Sequence, residues 1–269
     1  MQKTILITGS TDGIGLETAK SLAQKGHHIL LHGRNEAKLE IAEQQVKQCA
    51  KGRVMSYVAD LSRMKNVSRL ANQIREDHER IDVLINNAGV LSVAQPMTDD
   101  QIDIRFVVNT LAPYLLTRQL MPLMDSSARI VNLSSAAQAP VNLEALAGET
   151  TLDSEMAAYS QSKLAITMWS RGLALELGEQ GPLVVAVNPG SLLATKMVKE
   201  GFGIAGSDLT KGSDILVRAA LSDEFSGHSG AYFDNDSGAF AEPHPDGLDK
   251  QKISDLTHRM DAILSKLPH

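Results

Sequence analysis

Tyr159 and Lys163 are the pair in this 269-residue chain with the clearest capacity for proton transfer. They stand four positions apart near the start of a helix that the sequence predicts over about Met156–Glu179, so both side chains lie on one helix face. A phenol, with an ordinary pKa of about 10, is a poor base at neutral pH. A nearby ammonium group favours the phenolate, which can then exchange a proton with a carbonyl or hydroxyl oxygen. The spacing alone is common on helix surfaces, so neighbouring residues must support this interpretation.

Small polar residues end three predicted strands. Asn86–Gly89 follows one strand, Ser134 and Ser135 follow the next, and Asn188–Gly190 follows the last of the three. The carboxyl ends of parallel strands meet at one edge of a sheet, where open α/β sheets bind ligands. We therefore expect these residues to share a site with Tyr159.

A glycine-rich turn follows the first predicted strand, with glycines at positions 9, 13 and 15. Gly9 allows a tight turn, Gly13 leaves room for a pyrophosphate, and Gly15 lets the following helix pack closely on the sheet. The free amides at the helix N-terminus would then hold the phosphates. The alternative is that these glycines only form a turn.

The end of the second strand, His32-Gly33-Arg34-Asn35, indicates which dinucleotide would bind. It has no acidic residue to hold an unmodified ribose, and Arg34 could pair with a 2′-phosphate. This favours NADP, with NAD as the alternative. Two points oppose it: Asp12 in the phosphate turn would repel an extra phosphate, and Arg34 could be a solvated loop residue.

Short β-branched runs alternate with helical patterns along the whole chain. The strands are apolar on both faces, which is typical of a parallel sheet covered by helices on both sides. The order predicts an α/β fold with a doubly wound, mainly parallel, Rossmann-like sheet of seven strands, the last near Gly230–Phe233, and a helix over about Asp99–Asp125. We expect one domain over residues 1–269, with substrate loops at 139–154 and 191–207.

Composition excludes several classes of protein. The 26 Lys and Arg against 32 Asp and Glu give a net charge of −6, and aromatic residues are 4% of the chain, which argues against a nucleic-acid partner. No run is long enough for a membrane span or an export signal, and the single Cys49 favours a reducing compartment. We expect a cytoplasmic protein. His244, near Asp234 and Asp236, lacks the compact spacing of a zinc site, so no metal is expected.

Together these motifs resemble the short-chain dehydrogenase/reductase family from Thr4 to about Phe233. The resemblance rests on the glycine-rich turn, Asp60 after the third strand, Asn86–Gly89, Asn109, the serine pair, the Tyr–Lys pair and Asn188–Gly190. From Ser135 to Tyr159 is 24 positions. This long spacing is similar to the retinol dehydrogenase and protochlorophyllide reductase side of the family.

The resemblance implies hydride transfer between nicotinamide and a carbonyl or alcohol substrate. Tyr159 would be the acid/base, Lys163 would lower its pKa, Ser135 rather than Ser134 would hold the substrate oxygen, and Asn109 would hold a water in a proton relay. The cofactor-binding residues implied are Gly9, Thr11, Asp12, Gly13, Ile14, Gly15, Arg34, Asp60, Leu61, Asn87, Ala88, Gly89, Tyr159, Lys163, Pro189, Gly190 and Thr195. Ser191 is the alternative to Thr195, because the segment from Pro189 is one residue longer than usual. A homodimer or homotetramer is implied as well.

Two other functions stay open. A catalytically silent NAD(P)-sensing binding protein would keep the fold without the chemistry, although all four catalytic residue types are present. A sugar-nucleotide epimerase or dehydratase shares the Tyr–Lys spacing, but the glycine spacing and the short segment after the sixth strand disfavour it. On the long helix, Trp169 and Leu173 are either core residues or part of an inter-subunit face.

Overall fold

A computed structural model describes residues 1–194, 203, 206 and 208–269. Thr195 and most of the expected 191–207 substrate loop lie outside these residues.

All described strands belong to one sheet in the order β3-β2-β1-β4-β5-β6-β7-β8. The strands are β1 Thr4–Ile7, β2 His28–Gly33, β3 Val54–Val58, β4 Val83–Asn86, β5 Arg129–Leu133, β6 Leu183–Asn188, β7 Tyr232–Asp234 and β8 Ala239–Ala241. The first seven run parallel, and β8 pairs antiparallel with β7. The expected mostly parallel α/β sheet is confirmed, but its seven-strand count is wrong. The three-residue β8 is too short to show a pattern, and Phe240 of this strand packs on Phe225 and Phe233.

Helices cover both faces of the sheet. They are α1 Gly13–Gln24, α2 Glu36–Cys49, α3 Met64–Asp77, α4 Ile104–Phe106, a π-helix Val107–Leu111, α5 Ala112–Leu120, α6 Leu143–Leu146, α7 Glu155–Leu177, α8 Leu209–Leu221 and α9 Lys250–Leu264. Helices α1, α2 and α8 bury one core against the sheet, and α3, α5, α7 and α9 bury the other. Because strands such as Ile5–Ile7 contribute to both cores, they are apolar on both faces.

The helix expected from Asp99 begins later, at Ile104. Met97 and Asp103 form an isolated antiparallel bridge, and the Asp103 carboxylate accepts a hydrogen bond from the Arg105 amide. This cap starts the helix, since a side-chain acceptor there replaces a missing intrahelical partner.

The expected loop over 139–154 is partly wrong, because it contains α6. The Asn142 side chain caps this short helix at the amides of Glu144 and Ala145. Ala145 and Leu146 are buried in the core, and Glu149 forms an ion pair with Arg259 of α9. The segment is therefore packed against the body of the protein.

Helix α9 covers the outer side of α5 and α7. Tyr114 donates a hydrogen bond to Asp261, and its ring meets Trp169 edge-on at 5.5 Å between centroids. Trp169 is 1% exposed, so within this chain it is a core residue. No helix among the described residues combines the length and the apolarity that a membrane span requires.

Candidate active site

A cavity of about 610 Å³ lies at the carboxyl edge of the sheet. Nearly all the residues expected from the sequence line it: Gly9, Thr11, Asp12, Gly13, Ile14, Gly15, Arg34, Asp60, Leu61, Asn87, Ala88, Gly89, Ser135, Tyr159, Lys163, Pro189, Gly190 and Ser191. Asn109 does not line it, and Thr195 lies outside the described residues. The fold thus brings residues that follow six strands, β1 to β6, to one space.

The glycine-rich turn packs directly against the end of β4. Gly9 has φ +64, and a Cβ there would lie 2.8 Å from Ala88 Cα. The side-chain nitrogen of Asn87, Nδ2, donates hydrogen bonds to the carbonyls of Thr8 and Gly9, each at 2.9 Å. Asp12 caps α1 by accepting a hydrogen bond from Gly13 N at 2.7 Å. The amides of Ile14 and Gly15 precede the first i→i−4 bond of α1, so they suit phosphate oxygens.

His32 of β2 hydrogen-bonds to the glycine-rich turn, a contact that was not predicted from the sequence. Its Nδ1 accepts a hydrogen bond from Gly9 N at 3.2 Å, and its Nε2 lies 3.0 Å from the Ala59 carbonyl. The two contacts together require a neutral ring that donates from Nε2. Burial lowers the pKa of His32 to about 4, so the ring is neutral at physiological pH.

The far end of the cavity has the groups that an adenosine moiety would need. Arg34 is exposed at the cavity wall, and Asp60 is oriented by two hydrogen bonds from Ser62. From the sequence, Asp12 was expected to repel a 2′-phosphate. In the structure its carboxylate caps α1. The residues present therefore fit a dinucleotide, with a guanidinium available at its ribose end.

The two serines after β5 have different surroundings. Ser134 also borders the cavity, but it is buried and its hydroxyl hydrogen-bonds the Lys163 carbonyl and Thr167 Oγ1. Ser135 Oγ accepts from Ala137 N and lines the cavity. The carbonyl of Ser135 accepts hydrogen bonds from the Tyr232 hydroxyl at 3.2 Å and the Gln138 amide at 3.0 Å. Ser135 is therefore the serine whose hydroxyl is available to a ligand. Tyr232 and Gln138 fix the position of its backbone carbonyl.

Tyr159 and Lys163 lie on the first turns of α7, which Ser154 caps. The Lys163 ammonium donates to the Leu133 carbonyl at 2.8 Å and lies 5.7 Å from the centroid of the Tyr159 ring. Burial lowers the pKa of Lys163 to about 8. Burial raises the pKa of Tyr159, and a hydrogen bond to Ser135 acts in the opposite direction. At neutral pH the phenol therefore keeps its proton beside a cationic lysine.

Asn109 lies behind the cavity, within the π-helical segment. Its side-chain oxygen accepts from Val90 N at 2.8 Å, and its amide nitrogen donates to the Val90 carbonyl and to Ser162 Oγ, each at 3.0 Å. Both ends of the side chain are thus committed to the protein. A relay water, as the resemblance implies, would have to bind the main chain of Asn109.

The turn after β6 is held by the β7–β8 hairpin. Asn188 donates to Asp234 and Asp236, Ser191 donates to Asp236, and Asn235 donates to the Pro189 carbonyl. The acidic residues near His244 thus orient the cavity wall. Among the described residues no group of His, Cys, Asp and Glu could hold a metal ion.

One part of the cavity wall is apolar and consists of Val90, Leu91, Val108, Ala136, Ala137, Met156, Leu192 and Leu193. Leu192 and Leu193 belong to the substrate loop expected at 191–207, whereas none of the described residues of the loop expected at 139–154 lines the cavity. Leu192 has φ 51, a conformation that non-glycine residues rarely adopt and that is often found beside ligands.

Comparisons with known proteins agree with this geometry. The family described as short chain dehydrogenase matches residues 3–202. Retinol dehydrogenase 13 of Homo sapiens is 34% identical over 253 residues, which cover 86% of this chain and 76% of the relative. A crystal structure of an uncharacterised protein from Mycobacterium paratuberculosis has a TM-score of 0.81 and 27% identity, covering 100% of this chain and 96% of the other. A metagenomic short-chain oxidoreductase in complex with NADP has a TM-score of 0.63 and 27% identity, covering 82% and 92%.

The matched segment contains the glycine-rich turn, Ser135, Tyr159 and Lys163, all of which border one cavity. The chain belongs to the short-chain dehydrogenase/reductase family, in its retinol dehydrogenase-like branch, and is an NAD(P)-dependent oxidoreductase acting on CH–OH and C=O groups.

Proposed function

We propose that this enzyme prefers NADP and interconverts an apolar carbonyl compound and its alcohol, with Tyr159 as the acid/base. The observation that carries the proposal is the shared cavity, which joins the glycine-rich turn to Ser135, Tyr159 and Lys163. The proposal takes residues 1–269 as one catalytic domain. Assembly into a dimer or tetramer and a cytoplasmic location stay predictions.

Proton transfer is assigned to Tyr159 because it lines the cavity together with Ser135 and Lys163, and because a phenol keeps its proton at neutral pH. In the reducing direction the phenol donates its proton to the oxygen of the substrate carbonyl. Lys163, fixed on the Leu133 carbonyl, then stabilises the phenolate that remains. Ser135 donates a hydrogen bond to the same oxygen and orients it. When bound, the nicotinamide supplies or accepts the hydride.

The NADP preference rests on Arg34 at the ribose end of the cavity. A guanidinium can donate two parallel hydrogen bonds to a phosphate, which gives both affinity and orientation. The Gly13, Ile14 and Gly15 backbone would serve NAD and NADP alike, so discrimination depends on Arg34.

The substrate is assigned as apolar because the wall beyond Ser135 carries aliphatic side chains, Leu91, Met156 and Leu192 among them. Within the described lining residues, the ionisable groups other than Tyr159 and Lys163 lie near the dinucleotide end. An aldehyde or ketone with an apolar body would bury that body here without leaving a charge unpaired. The similarity to retinol dehydrogenase 13, whose name specifies an apolar alcohol, supports this assignment.

A carbonyl panel tests the reaction. Purified protein is mixed with NADPH and decanal, benzaldehyde, acetophenone, all-trans-retinal or the charged pyruvate, and absorbance of NADPH is followed. We expect reduction of apolar aldehydes or ketones and none of pyruvate. Binding of NADPH without turnover of any compound, in either direction, would support the silent NAD(P)-sensing alternative and reject the proposal.

Cofactor titration tests Arg34. We expect NADP to bind the wild type more tightly than NAD, and Arg34→Ala to weaken NADP about ten- to hundredfold while leaving NAD unchanged, as loss of a hydrogen bond to a charged group predicts. Arg53→Ala is the matched control, since Arg53 is exposed and does not line the cavity. Equal affinities of the wild type for both cofactors would contradict the preference.

A further inference from the structure

Arg105, in the first turn of α4, has a buried guanidinium that contacts three separate segments. It is 1% exposed. Its Nε donates to the Leu91 carbonyl at 2.7 Å, its Nη1 donates to the Asp103 carboxylate at 3.0 Å, and its Nη2 donates to Glu155. The Ser92 hydroxyl donates to the other oxygen of Glu155 at 3.0 Å. One side chain therefore joins the segment after β4 to the N-terminus of α7.

These segments provide the substrate end of the cavity. Leu91, whose carbonyl Arg105 holds, lines the cavity. Met156 follows Glu155 directly in α7 and lines the same space. One helical turn after Arg105, Asn109 holds the amide and carbonyl of Val90. The backbone of Val90 and Leu91 is thus hydrogen-bonded to the helical segment that follows it, Val90 by Asn109 and Leu91 by Arg105.

An ion pair at this position is poorly explained by stability alone. Burial of the Arg105 guanidinium costs desolvation free energy, and its partner Glu155 is half exposed, so this ion pair adds little net stability. Capping of α4 does not require the Arg105 side chain either, because the Asp103 carboxylate accepts a hydrogen bond from the backbone amide of residue 105 whatever its side chain is. The remaining contacts, to the Leu91 carbonyl and Glu155, are directed at the cavity wall.

We propose that Arg105 is a positioning residue that, through Glu155, sets the separation between Leu91 and Met156 and so determines which apolar carbonyl compounds fit. The inference rests on the proposed function and deepens it. It concerns the substrate end only, because none of the contacts of Arg105 reaches the glycine-rich turn or Arg34. Loosening the wall should therefore raise KM for the carbonyl substrate and leave NADPH affinity unaltered.

The matched pair of variants is Glu155→Ala and Glu176→Ala. Both glutamates lie on α7, are about half exposed at 50% and 53%, and pair with an arginine of the preceding helical region, Arg105 or Arg118. Glu176 is at the far end of α7 and does not line the cavity. KM and kcat are measured for decanal and benzaldehyde, together with the NADPH Kd.

We expect Glu155→Ala to raise the KM for the preferred aldehyde about tenfold and to reduce discrimination between the two aldehydes, with kcat and NADPH Kd within about twofold of wild type. Glu155→Gln, which keeps an acceptor for Arg105, should recover most of the lost affinity. Arg105→Lys, which keeps the charge but loses the three-directional donor set, should behave like Glu155→Ala.

Equal KM values for Glu155→Ala, Glu176→Ala and wild type would overturn the inference, as would a parallel loss of NADPH binding in Glu155→Ala. If wild type reduces no member of the carbonyl panel, the proposed function fails first, and this failure is seen before any variant is compared.

Discussion

Gly15 is the position at which a single methyl group should most directly disturb the phosphate turn. In Gly15→Ala the added Cβ would lie 2.4 Å from the Gly9 carbonyl oxygen and 2.5 Å from Asn87 Nδ2. Both distances are well below ordinary van der Waals contact. The Gly9 carbonyl belongs to the turn itself, and Asn87 Nδ2 is the donor that holds this carbonyl to β4. Relief of the clash therefore requires the turn and the end of β4 to separate.

The magnitude follows from three contributions. Overpacking costs about 1–3 kcal/mol, and loss of the two Asn87 hydrogen bonds costs about 1 kcal/mol each. The gain in helix propensity from glycine to alanine offsets about 1 kcal/mol. We expect Gly15→Ala to lower the free energy of unfolding by about 2–4 kcal/mol and, because the same turn receives the phosphates, to raise the NADPH Kd at least about tenfold.

Urea unfolding monitored by circular dichroism and NADPH titration by fluorescence measure these two effects. Gly172→Ala is the control, because Gly172 is also helical but its added Cβ would meet only side chains of α9, Ile253 Cγ2 at 2.9 Å and Thr257 Oγ1 at 3.7 Å, and no part of the phosphate turn. Overpacking of about 1–3 kcal/mol would be offset by about 1 kcal/mol of helix propensity, so its stability should fall less than that of Gly15→Ala, with unaltered NADPH Kd. A Gly15→Ala protein as stable as wild type and with the same Kd would refute the packing argument.

Three further predictions concern titration and positioning. Lys163 has a pKa of about 8, so its cationic fraction falls from roughly 0.9 at pH 7 to roughly 0.1 at pH 9. We expect kcat/KM for carbonyl reduction to fall over the same range. A kcat/KM profile that is flat to pH 9 would be inconsistent with the role assigned to Lys163. For His32, the folded-state pKa of about 4 lies below the unfolded value, so the unfolded chain binds its proton first and stability is lost as pH falls from about 6.5 towards 4, by about 2 kcal/mol at pH 5. Burial lowers the pKa values of His27 and His78 as well, so part of the slope is common to wild type and His32→Asn. In urea titrations the loss of stability between pH 7 and pH 5 should be smaller in His32→Asn than in wild type by about 2 kcal/mol; equal losses would argue against this role of His32. Tyr232→Phe removes a hydrogen-bond donor to the Ser135 carbonyl, and we expect it to lower kcat several-fold without changing the NADPH Kd. In the control, Tyr114→Phe, the lost hydroxyl donates to Asp261, and kcat should stay at the wild-type value. Equal kcat values for the two variants would argue against a role of Tyr232 in positioning Ser135.

Much of the fold could be predicted from local patterns. Runs such as Ile5–Ile7 are apolar on both faces because they contribute to two cores, and that property is visible in the sequence. The strand-end residues were informative for a similar reason: parallel strands end at one edge, so residues distant in sequence could be placed together before their contacts were known.

Other features depend on tertiary contacts that leave no local pattern. Strand β8 has three residues and pairs only because the Asp234–Gly238 turn returns the chain beside β7. Helix α6 forms within a segment interpreted as a loop, since Leu146 finds a place in the core. His32 and Arg105 resemble ordinary polar residues in sequence, and their roles depend on partners contributed by other segments, such as Gly9 and Glu155.

The side-chain contacts of Asn109 also depend on tertiary structure, whereas its expected part in a proton relay stays a prediction. Its position was predicted from the family resemblance, but both ends of its side chain bond Val90 and Ser162. The π-helical turn that contains it changes the backbone hydrogen-bond pattern in a way that residue type alone does not predict.

The most direct test of the central claim compares wild type with Tyr159→Phe in carbonyl reduction. The variant loses only the phenolic hydroxyl, and NADPH binding is measured in parallel to establish that the cavity is intact. We expect the rate with an aldehyde that the wild type reduces to fall about 10²–10⁴-fold, with the NADPH Kd changed by less than about twofold. Turnover close to that of wild type in Tyr159→Phe would contradict the assignment of Tyr159 as the acid/base.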